Sequence, residues 1–80
     1  MSQKKDIIKL EIKGKTTLGN LPLGSLFLSD DYKTLGLKTE YRTEFGAIEA
    51  YIVGSGEFFW GGTSTPEAQA KVTVYKVKIK

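Results

Sequence analysis

Eighty residues carry twelve basic and nine acidic side chains, a formal charge of +3, and neither cysteine nor histidine. A chain this short buries only about 60–65% of its unfolded surface, which makes it one domain, 1–80, with residues 1–5 as a polar leader. Disulfides and thiolate metal sites are excluded, and the commonest general base and metal ligand, histidine, is missing, so neither metal nor cofactor is expected.

After the leader, Ile8, Leu10 and Ile12 alternate with Lys9, Glu11 and Lys13. That period of two predicts a half-buried strand with a charged outer face, ended by Gly14-Lys15. The stretch from Thr16 to Gly24 is too rich in glycine and proline for regular structure. Leu18, Leu21 and Leu23 give it apolar anchors, so an ordered loop over one end of the core is expected, with Gly24 at positive φ.

Ser25 to Ser29 form a second strand, with Leu26 and Leu28 on one face and Phe27 on the other. Asp30-Asp31-Tyr32-Lys33 is a turn, its aspartates suited to accepting nearby backbone N–H groups rather than to paired-carboxylate chemistry. Thr34 to Thr43 make the third strand. Leu35, Leu37, Thr39 and Tyr41 line one face, and Gly36, Lys38, Glu40 and Arg42 the other. The following strand sends Ile48, Ala50 and Ile52 to one face and Glu49 and Tyr51 to the opposite one.

A three-residue loop, Glu44 to Gly46, would put Lys38 on the face of Ile52. A one-residue change of register flips every side chain, so burial favours a four-residue loop, Thr43 to Gly46, with Lys38 outside beside Tyr51. Gly54-Ser55-Gly56 turns the chain into a strand from Glu57 to Trp60. Its three consecutive aromatics cannot all share one face: Phe58 and Trp60 point one way and Phe59 the other. With Phe58 and Trp60 directed inward, Phe59 lies under the Leu18–Leu23 loop.

Thr65 suits a helix N-cap and Pro66 the first helical position, so a short helical turn is expected near residues 65–70; Ser64 and Glu67 allow a cap one residue earlier. The last strand, Lys71 to Ile79, has valines on even positions at 72 and 74, and apolar residues on odd positions at 77 and 79. A β-bulge near Tyr75-Lys76 would produce that switch. The chain is therefore all-β: a small, strongly bent antiparallel sheet or SH3-like barrel of about six strands.

The chemistry-bearing residues are few. Glu40, Glu49 and Glu57 on neighbouring strands describe a solvated face of ion pairs better than a catalytic cluster. Gly54-Ser55-Gly56-Glu57 and Gly14-Lys15-Thr16 miss the phosphate-loop spacing, so no enzyme is expected. Six of the basic residues, Lys4, Lys5, Lys71, Lys76, Lys78 and Lys80, lie near the chain ends and describe solvated tails. No apolar run has transmembrane length and no signal-type region follows Met1, which predicts a cytoplasmic protein with no membrane partner.

What remains is an aromatic surface with adjacent cations: Lys38, Arg42, Tyr51, Phe58, Phe59 and Trp60. Tryptophan and tyrosine recur at protein interfaces, and bases stack on aromatic rings beside a cation. The set predicts a binding module that contacts a protein or nucleotide and forms a homo-oligomer. A barrel binding a nucleotide or single-stranded nucleic acid is the alternative, weakened by the acidic residues interleaved on the same face.

Leu21-Pro22-Leu23-Gly24-Ser25-Leu26-Phe27, Leu37-Lys38-Thr39-Glu40-Tyr41 and Ala50 to Gly62 together resemble small uncharacterised β-domain proteins encoded by phages and prophages of Gram-positive bacteria. The similarity covers about residues 18 to 79, and its motifs mark turns and strand starts. It implies a setting in the host cytoplasm: a protein that binds a host component, for instance one of defence or replication, or that sequesters a nucleotide signal. It brings no catalytic residues.

Overall fold

Backbone pairing along the chain produces five antiparallel strands and one short helix in the computed structural model, which describes residues 10–79. The strands are β1 (Leu10–Thr17), β2 (Leu26–Ser29), β3 (Leu35–Arg42), β4 (Ile48–Ile52) and β5 (Thr73–Ile79), and α1 (Pro66–Ala70) precedes β5. They form one open sheet in the order β1-β5-β2-β3-β4. The all-β expectation holds, while barrel closure does not: the two outermost strands, β1 and β4, are not paired with each other. The expected sixth strand, Glu57 to Trp60, is reduced to a single bridge between Tyr51 and Phe58.

β1 runs through Gly14-Lys15 instead of ending there, because β5 continues to pair with it as far as Thr17. The expected irregularity is present, but on the partner strand. Ile12 pairs with Val77 and Gly14 with Lys76, so Lys13 is the extra residue. Ile8, also assigned to this strand, lies outside the described residues.

Register decides which residues share a face. Phe27 pairs with Gly36, Gly36 with Ile52, and Lys38 with Ala50. These positions, with Val74 of β5, line the inner face, where Leu18, Leu21, Phe27, Ile48, Ala50, Phe59 and Val74 make the core. The β3–β4 connection has the odd register that burial arguments disfavoured. The Thr43 N–H donates to the Ala47 carbonyl at 2.8 Å, enclosing the three-residue loop, and Gly46 sits at φ 86°. A type I turn closed by a left-handed glycine is a common solution for a loop of this length.

Two details make that register affordable. Gly36 lies directly under the Phe27 ring, where a Cβ would meet Cζ at 2.3 Å, so the absence of a side chain is what admits the ring. Lys38 is buried but not unpaired: its ammonium donates to the carbonyls of Leu18 (2.9 Å), Gly19 (3.2 Å) and Leu21 (2.7 Å). These carbonyls belong to the loop over the core, which is itself held by bonds from Leu18 N–H to Val72 and from Gly19 N–H to Ala70. Leu18 and Leu21 anchor that loop as expected, whereas Leu23 is 64% exposed. Gly24 has the expected positive φ, 76°.

The helix begins as its sequence dictates. Thr65 is the N-cap, its hydroxyl accepting from Ala68 N–H at 3.1 Å, with Pro66 in the first position. One turn of helix has little stability of its own. Gln69 fixes it, fully buried, accepting from Ile48 N–H at 2.8 Å and donating to the carbonyls of Ile48 (2.9 Å) and Phe59 (3.0 Å). A side-chain amide thus extends the sheet's hydrogen bonding at the edge of β4.

Candidate binding surface

The alternation that fills the core also leaves a second face. Leu26 pairs with Leu37, Leu37 with Tyr51, and Tyr51 bridges to Phe58, so these four side chains form a row across β2, β3, β4 and the following segment. Leu37 and Tyr51 are exposed, and Leu26 and Phe58 are half-buried. Beside this row, Leu28 pairs with Tyr75, whose ring stacks on Tyr32 with centroids 4.9 Å apart and planes 13° from parallel. The outer face is thus apolar and aromatic over much of the sheet.

The aromatics of residues 58–60 divide as alternation requires, with the opposite assignment to that expected. Phe59 is the core residue, edge-on to Phe27 at 4.9 Å, and its N–H donates to Ala50 at 2.8 Å. Phe58 and Trp60 stay outside, their centroids 5.1 Å apart, and Phe58 meets Tyr51 nearly perpendicularly at 5.7 Å. Offset and edge-on pairs of this kind are favourable, so the cluster is pre-arranged without a partner.

Of the six residues singled out from the sequence, Tyr51, Phe58 and Trp60 come together on the outer face. Phe59 and Lys38 do not: both are buried on the inner side. Arg42 is exposed at the end of β3, and its guanidinium donates to the Gly46 carbonyl at 2.8 Å. Lys38 therefore contributes no charge beside the aromatics. Burial holds its ammonium below the ordinary lysine pKa, with the nearby Arg42 charge acting in the same direction. Tyr51 donates to Glu49 Oε1 at 3.1 Å, and that bond raises its phenol pKa above the ordinary value.

Phe45 was missed. It projects from the tip of the β3–β4 hairpin and is 81% exposed. With Thr43, Glu44, Phe58 and Trp60 it lines a cleft of about 350 Å³ whose walls are mainly apolar. The tip is well tied, since the Thr43 hydroxyl accepts from the N–H groups of Phe45 (3.3 Å) and Ala47 (3.1 Å). The available signal was a large aromatic in a turn too short to return it to the core.

The remaining sequence candidates take structural places. Gly14-Lys15-Thr16 lies within β1. Asp31 closes the turn after β2, accepting from Ser29 Oγ at 2.5 Å and Lys33 N–H at 3.0 Å, and the Ser29 bond leads the effects that lower its carboxyl pKa. Glu40 and Glu57 are exposed, and among the described residues no three His, Cys, Asp or Glu side chains gather as a metal site would require. Among those residues, too, no helix is long and apolar enough to cross a membrane. No protein-family model matches the chain, and comparison with curated proteins and with solved structures gives no match.

Proposed function

We propose that this chain is a small non-enzymatic binding module that contacts a protein partner, and a second copy of itself, through the outer face of its sheet. The row Leu26, Leu37, Tyr51 and Phe58, continued by Trp60, carries this reading: it is apolar, paired through the backbone from strand to strand, exposed at Leu37 and Tyr51 and half-buried at the other three. Exposed contiguous apolar surface on a small domain marks interaction sites, and pairing two copies of such a face buries it on both. In the phage setting implied by the sequence resemblance, the partner is a protein of the host cytoplasm. The nucleic-acid alternative relied on Lys38 and Arg42 beside the aromatics; the Lys38 ammonium is held by three loop carbonyls, which leaves Arg42, exposed and donating to the Gly46 carbonyl, as its one cation.

Light scattering coupled to size exclusion, over a concentration series, tests the reading. The wild-type chain is expected to associate, and Leu37→Lys or Tyr51→Ser to shift it to monomer without loss of the folded state. A wild-type chain that stays monomeric at millimolar concentration, or variants that associate equally well, would refute it.

A further inference from the structure

The cleft at the hairpin tip has a chemistry of its own. It is lined by three aromatic residues, Phe45, Phe58 and Trp60, with Thr43 and one acidic residue, Glu44, and by no basic residue. Arg42, the adjacent cation, is not part of that lining: it keeps its charge, and its guanidinium donates to the Gly46 carbonyl at 2.8 Å. A ring face attracts a cation through its quadrupole, and a carboxylate at the rim adds a charge-assisted hydrogen bond. Arginine suits both demands, because its planar guanidinium stacks on aromatic faces while its N–H groups fork onto a carboxylate. Phe45, 81% exposed on a tip tied down by Thr43, contributes little to folding and much to one wall of this cleft.

We infer that the Phe45–Phe58–Trp60 cleft receives an arginine side chain of the protein partner, stacked on the rings and paired with Glu44. This rests on the outer face being a protein-binding surface and specifies what one part of that surface recognises. Lysine would meet the same rings as a more strongly hydrated point charge, without the stacking or the fork, and should bind more weakly.

Trp60 is the single tryptophan of the chain, so its fluorescence reports directly on the cleft. The probe is a short capped Gly-Arg-Gly peptide, titrated in parallel with its citrulline and lysine counterparts. The arginine peptide should give a saturable change, and the uncharged citrulline peptide should bind at least about fivefold more weakly. Phe45→Ala and Glu44→Gln, both at exposed positions, should each weaken arginine binding by about two- to fivefold. Equal binding of arginine and citrulline peptides, or no saturable change with arginine, overturns the inference. Leu37→Lys lies outside the cleft lining and separates the two readings. If it abolishes self-association while the arginine peptide fails to bind wild type, only the cleft inference falls. If association survives Leu37→Lys, the outer-face reading falls.

Discussion

Replacing Gly36 with alanine probes the contact on which the β2–β3–β4 register depends. A Cβ at this position would lie 2.3 Å from Phe27 Cζ and 2.8 Å from both Cε atoms, where ordinary contact begins at 3.4 Å. The ring must therefore move by more than an ångström. The Phe59 ring lies edge-on to it with centroids 4.9 Å apart, and Phe27 has no exposed surface through which to retreat. Overpacking of this kind costs about 1–3 kcal/mol, and the rigid surroundings place Gly36→Ala near about 3 kcal/mol. An 80-residue domain has about 4–12 kcal/mol of stability, so the loss is large. At about 4–8 °C per kcal/mol, the melting temperature should fall by at least about 12 °C.

Urea unfolding followed by Trp60 fluorescence measures the effect as a lower midpoint at unchanged slope. Two companions make the cause specific. Gly14→Ala, where an added Cβ meets nothing within 4 Å, should be neutral or stabilising by about 0.5–1 kcal/mol. Phe27→Leu removes the clashing atoms, so the double variant with Gly36→Ala should be at least about 1 kcal/mol more stable than additivity predicts. A Gly36→Ala protein within about 0.5 kcal/mol of wild type, or strict additivity in the double variant, would refute the close approach of ring and backbone.

Two further changes test the buried polar groups. Lys38→Met strips the donor from the carbonyls of Leu18, Gly19 and Leu21 while removing a costly buried charge, and should cost about 2–4 kcal/mol net; equal or greater stability would show that desolvation dominates. With its folded pKa below the ordinary 10.5, Lys38 releases its proton earlier in the folded chain than in the unfolded one. Unfolding free energy should therefore rise with pH between that lowered value and 10.5, and Lys38→Met should abolish the rise. The comparison belongs below pH 10.0, because Tyr51 and Tyr32, whose pKa values are raised, oppose the trend above it. Gln69→Leu leaves Ile48 N–H and the carbonyls of Ile48 and Phe59 without partners, at about 2–4 kcal/mol, measured as a lower urea midpoint. Gln69→Glu keeps the acceptor but faces two carbonyls once ionised, so its stability should fall as pH rises through the range in which that buried carboxyl ionises.

The elements that declare themselves locally were legible in the sequence. Thr65-Pro66 marked the helix, alternation marked the strands, and Asp30–Lys33 marked a turn. Face assignment was harder because β3 carries its leucines on one side only, and both faces of the sheet hold apolar side chains from other strands. Leu35 and Leu37 looked like core against Gly36 and Lys38, yet the inner face belongs to the glycine and the lysine. The reasons are non-local. Gly36 is selected by the Phe27 ring on the neighbouring strand, and Lys38 is tolerated because a loop some twenty residues earlier turns three carbonyls inward. Neither appears in the period of β3 itself. The same reversal carried Lys38 into the expected binding set, and an inward direction given to Phe58 and Trp60 placed Phe59 outside the core it occupies. Strand alternation put Phe58 and Trp60 on one side, as the structure has them, but their meeting with Tyr51 depends on which side that is.

An open sheet has two edges and two faces along which a second chain could pair, and the structure treats them differently. The β4 edge is occupied: Glu57 accepts from Ile52 N–H at 2.8 Å, Phe59 N–H donates to Ala50, and Gln69 takes both backbone groups of Ile48. The inner face is closed by the Leu18–Leu21 loop, Phe59 and the helix. Among the described residues nothing pairs with the outer edge of β1, but it carries the bulged Lys13, whose ammonium lies 3.7 Å from Glu11, and the charged side chain of Lys15. A bulge and edge charges are the usual protection against strand-to-strand pairing. Among the described residues, the outer face is the one that combines exposure with apolar side chains in a row. Association should therefore be face to face, lost on Leu37→Lys and retained in a Lys15→Pro variant that still folds. A dimer with the reverse sensitivity would move the contact to the β1 edge.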